Sequence, residues 1–447
     1  MFWQVVKKLS VVCAAGLVLC ALMLCVGAFP WACAYADGTY TQDNIYYTYQ
    51  SDGTAYVSSV DSTITEADIL SSFTVDSETY TVTSIGVQAF NNPKNLTSVT
   101  IPSTVTTISN KAFWNCPALT TVEIKGSVTS IGDYGFYNCS ALTSVTIPDS
   151  VKSIGDYAFN GCTKLESITI PGLVTSIGKG TFSSCTSLSS VTLPDSITSI
   201  GENAFQKCSS LTSVTIPDKV KTIGQAAFTY CTSLTSVNIP SSVESIGVMG
   251  FYNCSSLKTV TFEKGSKCTG ISMYAFKTIA NPSTIYLPNE TMTSYFSSTN
   301  YDSGSTTLVV EYEITDGANG TYTLNKDTEY KITGDSLDKD SKLANFVELK
   351  LDGATVSTDS YTTAQGSVIV TLKKEYLDTL SLGEHAVQMV WKYGTADTTL
   401  TIAEEEEPTP TSTPPKTGDS TPIAPLCALL LCCGGAALAL CKKKVRK

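Results

Sequence analysis

Two residue types that most proteins use freely are nearly absent from this chain of 447 residues. It has one histidine, His385, and one arginine, Arg446. Ser-His-Asp catalysis, Cys-His catalysis and histidine-ligated zinc all need histidine, so none of them can lie within residues 81–300, which contain no histidine. The sequence also lacks a glycine-rich phosphate loop, zinc-spaced cysteines and a nucleophile elbow. It therefore predicts a binding protein rather than an enzyme, with no catalytic residue, cofactor or metal ion.

Basic residues are scarce in the central part of the chain. Between Asp37 and Thr417 there are 39 aspartates and glutamates against 22 lysines and no arginine. The whole chain carries a formal net charge of -11. Proteins that bind nucleic acid need clustered lysine and arginine to displace counterions, so we exclude this class of partner. The acidic balance suits a soluble extracellular surface.

Residues 1–36 have the pattern of a secretory signal peptide. A pair of lysines precedes an apolar run from Leu9 to Phe29, and Ala34-Tyr35-Ala36 forms a small-residue cleavage site. We therefore expect export and a mature chain that begins near Asp37. Lipid attachment at Cys33 is the alternative, although the residues before it make a poor lipobox.

A 23-residue repeat dominates the middle of the chain. Its phenylalanines are Phe90, Phe113, Phe136, Phe159, Phe182, Phe205, Phe228 and Phe251. A fixed period in the twenties is typical of a solenoid, in which each repeat forms one coil stacked on its neighbours. Apolar residues two positions apart, such as Val145 and Ile147, predict a short parallel strand that ends at Pro148. We therefore expect a solenoid that is mostly β.

Cysteine also follows the repeat, three residues after seven of these phenylalanines. The seven are Cys116, Cys139, Cys162, Cys185, Cys208, Cys231 and Cys254. A cysteine at a core position behaves as a small buried hydrophobe. Adjacent coils would set their Cα atoms about 4.8 Å apart, which allows disulfides, but parallel Cβ vectors suit them badly. We predict buried free thiols, with disulfides or a metal site as the alternative.

These spacings resemble a known family. The pattern L-x-S-V-T-I-P-x-x-V-x-S-I-G-x-x-A-F-x-x-C is similar to the BspA-like leucine-rich repeats of microbial surface proteins. The resemblance implies a right-handed leucine-rich-repeat solenoid over residues 81–300. It also implies adhesion to host matrix proteins, host cells or other microbes. Residues 37–80 lack the period and are rich in tyrosine and turn residues, which predicts a cap of β-hairpins.

Residues 305–403 do not follow the 23-residue repeat. Short alternating strands, such as Val368 to Leu372, predict a β-sandwich. Over residues 366–385 the sequence resembles the X2-like, immunoglobulin-like modules of bacterial secreted proteins. Such modules often accompany glycosidases, but no catalytic domain is left to assign in this chain.

The C-terminal region contains three segments in a recognisable order. An acidic and proline-rich linker covers residues 404–422, an apolar run follows over 423–441, and a basic tail occupies 442–447. The apolar run predicts a transmembrane segment whose basic tail stays in the cytoplasm. The linker contains a short motif made of Pro414, Pro415, Lys416, Thr417 and Gly418.

Motif, apolar run and basic tail together resemble the sortase sorting signal of Gram-positive wall proteins, which has leucine where this chain has Pro414. The resemblance implies that sortase cleaves after Thr417 and joins it to peptidoglycan. A plain membrane anchor is the alternative. Either anchor predicts a protein tethered to the outer face of the cell.

Outward positions of the first strand of each coil form a hydroxyl-rich face. Its central members are Ser144, Thr146, Ser167, Thr169, Ser190, Thr192, Ser213 and Thr215. The face is nearly uncharged and could contact an extended protein or glycan. Alternatively, these residues only favour the strand and bond to one another.

Aromatic residues beside the core phenylalanines are the second candidate for partner binding. They are Trp114, Tyr134, Tyr137, Tyr157, Tyr230 and Tyr252. We expect them to be exposed. Large rings anchor interfaces and stack on sugars, which makes these residues candidates for a binding site. Packing between neighbouring turns is the interpretation that we favour for these residues. The resemblance to BspA-like surface proteins implies an adhesin, with a glycan-binding module or a display scaffold as alternative functions.

Overall fold

A computed structural model describes residues 37–405, apart from 325, 326, 328, 337–342 and 365–366. A compact unit ends at Glu404, and its regular structure is almost entirely β. Among the described residues no helix has the length and apolar character needed to cross a bilayer. The predicted signal peptide, sorting motif, apolar run and basic tail lie outside the described residues.

Residues 37–310 contain 23 strands, most of them only two to five residues long. In chain order they are β1 (Gly38–Gln42), β2 (Ile45–Tyr49), β3 (Thr54–Val60), β4 (Glu66–Asp68), β5 (Ser72–Val75), β6 (Glu78–Ile85), β7 (Ser98–Ile101), β8 (Thr107–Ile108), β9 (Thr121–Ile124), β10 (Ser130–Ile131), β11 (Ser144–Val145), β12 (Ser153–Ile154), β13 (Ser167–Thr169), β14 (Ser176–Ile177), β15 (Ser190–Thr192), β16 (Ser199–Ile200), β17 (Thr222–Ile223), β18 (Ser236–Ile239), β19 (Ser245–Ile246), β20 (Thr259–Phe262), β21 (Gly270–Ile271), β22 (Ser283–Leu287) and β23 (Thr306–Val310).

Two columns of parallel strands build the solenoid. The first column contains β4, β7, β9, β11, β13, β15, β18, β20, β22 and β23, and the second runs from β6 to β21. Strands pair with the equivalent residues one repeat away, for example Ser130 with Ser153 and Ser167 with Ser190. The predicted mostly β solenoid is confirmed, with about 11 coils of about 23 residues.

The repeated phenylalanines form a continuous stack inside the coils. Phe113 and Phe136 are fully buried, and their ring centroids are 4.9 Å apart with an interplanar angle of 4°. The seven cysteines of the repeat, which we call the ladder cysteines, lie beside this stack. Each thiol donates to the backbone carbonyl of the phenylalanine one repeat earlier. The Sγ of Cys139, for instance, lies 3.2 Å from the carbonyl oxygen of Phe113. All seven thiols are buried and free, as predicted.

Each phenylalanine lies in a turn that joins the second strand column to the next coil, which we call the phenylalanine turn. Its backbone bonds to the following coil, as where the Phe113 N–H donates to the carbonyl of Gly135 at 2.8 Å. Two residues in each turn have left-handed φ, one two positions before the phenylalanine and one two positions after it. In the turn of Phe136 these are Tyr134 and Asn138, each with φ 57°.

Both ends of the solenoid are covered by β structure. At the start, β1, β2 and β3 form antiparallel pairs, and β3 continues the sheet by pairing in parallel with β6. At the far end, a 3-10 helix (Thr291–Tyr295) precedes β23, which pairs in parallel with β22. The first strand column therefore runs from residue 66 to residue 310, beyond both limits of the expected 81–300 range.

Residues 312–403 form a separate pair of sheets, which we call the β-module. In chain order its strands are β24 (Tyr312–Asp316), β25 (Gly320–Thr323), β26 (Glu329–Ser336), β27 (Phe346–Leu351), β28 (Ala354–Thr355), β29 (Tyr361–Ala364), β30 (Val368–Lys373), β31 (Gly383–Trp391) and β32 (Gly394–Ala403). Two 3-10 helices (Leu343–Asn345 and Thr358–Ser360) and one short helix, α1 (Lys374–Leu377), connect them.

The sheet orders of the β-module are β24-β26-β30-β29 and β25-β32-β31-β27-β28. Gly334 of the first sheet lies directly against Met389 and Trp391 of the second, so the two sheets pack face to face here. All pairs are antiparallel except β25 with β32, which is parallel. The immunoglobulin-like identity of this module stays a prediction.

The solenoid and the β-module share hydrogen bonds where they meet. The buried carboxylate of Glu290 accepts from the Tyr312 hydroxyl at 2.9 Å and from the Asn345 side-chain amide at 2.6 Å. The Val310 N–H donates to the carbonyl of Tyr393 at 2.9 Å. Because Tyr312, Asn345 and Tyr393 all belong to the β-module, these bonds connect it to the last coil.

Candidate binding site

Four aromatic side chains meet on the phenylalanine turns of three consecutive coils. The rings of Trp114 and Tyr137 stack with centroids 4.4 Å apart, and those of Tyr134 and Tyr157 stack at 5.0 Å. Trp114 and Tyr134 connect the two pairs at 5.5 Å. We call these four rings, together with Lys111, the aromatic cluster. It combines four of the six aromatic residues that the sequence singled out.

The repeat explains why these rings meet. Trp114 and Tyr137 each follow a core phenylalanine, so they occupy equivalent positions in adjacent coils. Tyr134 and Tyr157 are equivalent in the same way, two positions before the phenylalanine. The turns are held in register by backbone hydrogen bonds to the next coil, such as Tyr134 N–H to the carbonyl of Asp156 at 2.8 Å. Equivalent rings are therefore stacked along the solenoid axis.

Lys111 extends the aromatic cluster by one cation. Its Nζ lies 5.1 Å from the centroid of the Trp114 ring and 5.7 Å from that of Tyr134. A lysine ammonium at this distance is attracted by the negative face of an aromatic ring. Lys111 occupies the same left-handed turn position as Tyr134, with φ 58°. The cluster therefore presents one positive charge together with aromatic surface.

These aromatic residues pack between neighbouring turns, as we favoured, and their expected exposure was wrong for five of the six. Only Tyr230 is exposed, at 41% of its surface, whereas the others are partly buried because neighbouring rings cover them. Tyr230 and Tyr252 lie in later coils and form a second group with Tyr274, in edge-to-face contacts of 6.0 and 6.4 Å. Sequence reasoning missed Tyr274, although it lies two residues before Phe276, as Tyr134 does before Phe136.

The hydroxyl-rich strand face is open to solvent. All eight predicted members, from Ser144 to Thr215, are exposed. Equivalent residues align in register, as Thr169 does with Thr192. Within the described part of the chain their hydroxyls make no internal hydrogen bond. The adjacent hydroxyl column is used differently, since Ser189 Oγ donates to the carbonyl of Glu166 at 3.1 Å.

The single histidine lies in the β-module in an arrangement that superficially resembles a catalytic triad. His385 Nδ1 is 2.6 Å from Asp352 Oδ2, and Ser381 Oγ is 3.5 Å from His385 Nε2. However, Nε2 also lies 2.8 Å from the backbone carbonyl of Ser381. Both ring nitrogens therefore face acceptors, which favours the doubly protonated ring, and neither nitrogen is free to accept a serine proton.

These contacts change two pKa values. The carbonyl of Ser381 and the carboxylate of Asp352 raise the pKa of His385 above its usual value, and the hydrogen bond from His385 lowers the pKa of Asp352. Since Asp352 also accepts the Ala386 N–H at 2.8 Å, the group joins the turn between β27 and β28 to β31. His385, Asp352 and the Ser381 carbonyl thus stabilise the β-module, and we call this group the histidine brace. The described residues also contain no group of three or more metal-binding side chains.

Comparisons with known proteins agree with the observed coil boundaries. The BspA type leucine-rich repeat region matches residues 66–189 and 198–318 of the chain, in six copies. These limits are close to those of the first strand column, from β4 to β23. No curated protein sequence matches the chain.

Several solved structures are similar to the chain. A leucine-rich cell surface protein from Faecalibacterium prausnitzii A2-165 is 31% identical, with 57% of this chain and 83% of that protein covered and a TM-score of 0.40. A leucine-rich repeat protein from Bacteroides ovatus ATCC 8483 is 28% identical, with 55% and 84% covered and a TM-score of 0.44. Each alignment covers little more than half of this chain.

Proposed function

This chain belongs to the BspA-type leucine-rich-repeat family, and on that premise we propose that it is a cell-surface protein that binds an extracellular protein partner through the aromatic cluster. The relative from Faecalibacterium prausnitzii is described as a cell surface protein, which supports the location. The observation that supports this binding site is the stacking of four aromatic rings from three consecutive coils beside Lys111.

Tyr134 and Tyr157 both have φ 57°, in the left-handed region. A left-handed conformation costs an L-residue about 1–2 kcal/mol relative to the right-handed one. Every phenylalanine turn has left-handed φ at this position, and the equivalent residues include Gln88, Ala226 and Met249. The conformation therefore belongs to the repeat, and folding alone does not require tyrosine here. Two adjacent tyrosines at a position that other coils fill with different residues support a role in recognition.

The shape of the cluster favours a protein over a glycan. A sugar stacks on a free ring face, but each of the four rings already gives at least one face to a neighbouring ring or lysine. The cluster also carries three tyrosine hydroxyls and the ammonium of Lys111, which can form hydrogen bonds with a protein partner. Tyrosine and tryptophan are enriched in the anchor residues of protein interfaces. Rings that are already stacked also lose little conformational entropy on binding.

The rest of the chain fits display at the cell surface. In this proposal residues 1–36 direct export, and the β-module is an X2-like, immunoglobulin-like spacer between the solenoid and the linker. Sortase then joins Thr417 to peptidoglycan, or the apolar run 423–441 anchors the chain in the membrane. Mass spectrometry of wall digests distinguishes the two anchors, since only the first yields a peptidoglycan-linked peptide that ends at Thr417.

The binding proposal is tested with a double variant, Tyr134→Asn with Tyr157→Asn. Asparagine accepts left-handed φ, so the turns should keep their conformation while the rings are lost. The full-length protein is assayed against immobilised fibronectin, laminin and collagen. Since interface anchors are worth about 2 kcal/mol or more each, the variant should bind at least about tenfold more weakly.

Tyr46→Asn is the matched control, because Tyr46 is 38% exposed in the N-terminal cap and outside the aromatic cluster. It should bind as the unaltered protein does. If the unaltered protein binds none of the three matrix proteins, adhesion to host matrix is wrong and a display scaffold becomes the better description. If the double variant binds normally, the aromatic cluster is not the site.

A further inference from the structure

A polar cavity that is largely open to solvent lies at the far end of the solenoid, away from the phenylalanine turns that form the aromatic cluster. Its volume is about 450 Å³, within the range of about 300–1,000 Å³ that is typical of small-ligand sites. Eight residues line it, namely Lys277, Asn281, Ser298, Tyr301, Asp302, Ser303, Gly304 and Ser305. Most belong to the segment between the 3-10 helix and β23, which does not follow the 23-residue pattern.

The charged pair in the cavity is held in place. Lys277 Nζ lies 3.1 Å from Asp302 Oδ1, and Asp302 Oδ2 accepts the Thr278 N–H at 2.6 Å. The backbone carbonyl of Asp302 accepts the N–H groups of Ser305 and Thr306 at 3.0 and 2.8 Å. The side chain and the backbone of Asp302 are therefore both held in place. Asp302 in turn holds the ammonium of Lys277.

A second part of the cavity lining is also held in place by buried contacts. Asn300 is buried, and its side chain accepts the Ser297 N–H at 2.8 Å and donates to the carbonyl of Tyr295 at 2.9 Å. The ring of Tyr301 meets Phe296 edge to face at 5.8 Å. These contacts set the position of the loop that carries Ser298 and Tyr301. The cavity therefore needs little reorganisation to bind a ligand.

The lining excludes several ligand classes. An anion such as phosphate would find one lysine, and Asp302 already neutralises it. A metal cation would find one carboxylate, and both of its oxygens are already bonded. An apolar ligand would meet hydroxyl, amide and charged groups in place of hydrocarbon. The cavity suits a ligand that is uncharged and rich in hydroxyl groups.

We propose that this cavity binds one sugar unit of a neutral saccharide. The hydroxyls of Ser298 and Ser303 and the amide of Asn281 can each donate and accept, which matches the dual character of sugar hydroxyls. The Ser305 hydroxyl donates to the carbonyl of Asp302 at 3.5 Å and can still accept. The ammonium of Lys277 carries three donors, of which the described residues account for one. Tyr301 adds aromatic surface at the wall. This site is separate from the aromatic cluster, and its test is independent of the protein-binding proposal.

The experiment uses saturation-transfer NMR on the full-length protein with glucose, galactose, mannose and N-acetylglucosamine. The same four sugars, immobilised as terminal units on beads, form a second arm that distinguishes a free sugar from the end of a glycan. Inorganic phosphate is the charged comparison. We expect at least one neutral sugar to bind in one of the two arms, and phosphate not to bind.

Two variants place the binding in this cavity. Lys277→Met removes the ammonium but keeps the aliphatic stem. Asn281→Ala removes the side-chain amide of an exposed residue, and this amide makes no hydrogen bond to the described residues. Each should weaken sugar binding by at least about tenfold, as expected when a polar group that orients a ligand is lost. Ser294→Ala is the control, because its hydroxyl bonds to the carbonyl of Thr291 and it does not line the cavity.

Two results would overturn the proposal. One is that none of the four sugars binds in either arm. The other is that a sugar binds equally well to Asn281→Ala and to the unaltered protein, which would place the binding elsewhere. Because Asn281 is exposed, its variant gives a valid answer even if Lys277→Met fails to fold.

Discussion

The ring of Tyr157 lies against Gly180 of the next coil, in the space that a side chain at position 180 would need. Tyr134 covers the other side of Tyr157, with ring centroids 5.0 Å apart. Tyr157 is thus enclosed between a stacked ring and a glycine. This relationship orders one end of the aromatic cluster and leads to the first prediction.

Gly180→Ala should destabilise the solenoid and loosen the aromatic cluster. Gly180 has φ 58°, where a Cβ costs about 1–2 kcal/mol, and the added methyl would also overlap the ring of Tyr157. We expect the free energy of unfolding to fall by about 1–3 kcal/mol in urea titrations. Gly172→Ala is the matched control, because its Cβ would meet nothing within 4 Å. Equal losses for both variants would contradict this account of Gly180.

The seven ladder cysteines should not react with thiol reagents in the folded protein. Burial raises the pKa of Cys185 and of Cys254 to about 12, and both thiols donate to a phenylalanine carbonyl. At about pH 8 only about 10⁻⁴ of such a thiol is thiolate, the reactive form. Iodoacetamide should therefore label the seven ladder cysteines only after denaturation, as read by peptide mass spectrometry. Rapid labelling in native buffer would contradict the observed burial.

His385 and Asp352 should make stability depend on pH in opposite directions. The raised pKa of His385 stabilises the fold fully below its ordinary value of 6.5, and this contribution is lost as the pH rises through the raised value. The lowered pKa of Asp352 stabilises the fold above its ordinary value of 3.8, and this contribution is lost on acidification. The histidine brace thus stabilises the fold most between about pH 3.8 and pH 6.5.

A comparison of His385→Gln with the unaltered protein isolates this effect. The difference in unfolding free energy should be larger at about pH 5.5 than at about pH 8.5, because only the unaltered protein loses a protonated imidazole as the pH rises. Urea titrations at both pH values measure it. A difference that does not change with pH would mean that the ring acts by packing alone.

Glu290 should couple the β-module to the solenoid. Glu290→Ala removes the acceptor of the Tyr312 hydroxyl and of the Asn345 amide, and loss of a buried acceptor costs about 1–3 kcal/mol. Trp114 reports on the solenoid and Trp391 on the β-module, so their fluorescence can be followed separately in single-tryptophan variants. We expect the two unfolding midpoints to move apart in Glu290→Ala.

Glu313→Ala is the control for Glu290. Glu313 pairs with Lys264 at 3.6 Å, but both side chains are largely exposed, and such pairs contribute only about 0–1 kcal/mol. The two midpoints should stay together in this variant. If Glu290→Ala behaves in the same way as Glu313→Ala, the buried carboxylate is not what connects the two parts of the chain.

The coil itself could be predicted from the order of residues. A repeat of 23 residues places Phe113 over Phe90 and Cys139 over Cys116, whatever the detailed path of the turn. Period and hydrophobicity are local properties, and each coil meets the same environment as the one before. For the same reason the thiol ladder and the exposed hydroxyl face of Ser144 and its equivalents were readable without coordinates.

The details of the candidate sites required the tertiary structure. The repeat showed that Tyr134 and Tyr157 are equivalent, but not that their rings cover one another or that their backbone is left-handed. The cavity around Asp302 and the contact of Glu290 with the β-module lie in segments without the period. There, residues distant in sequence meet only in the tertiary structure. Regular spacing specifies how coils stack, whereas side chains outside the repeat acquire their neighbours through the fold.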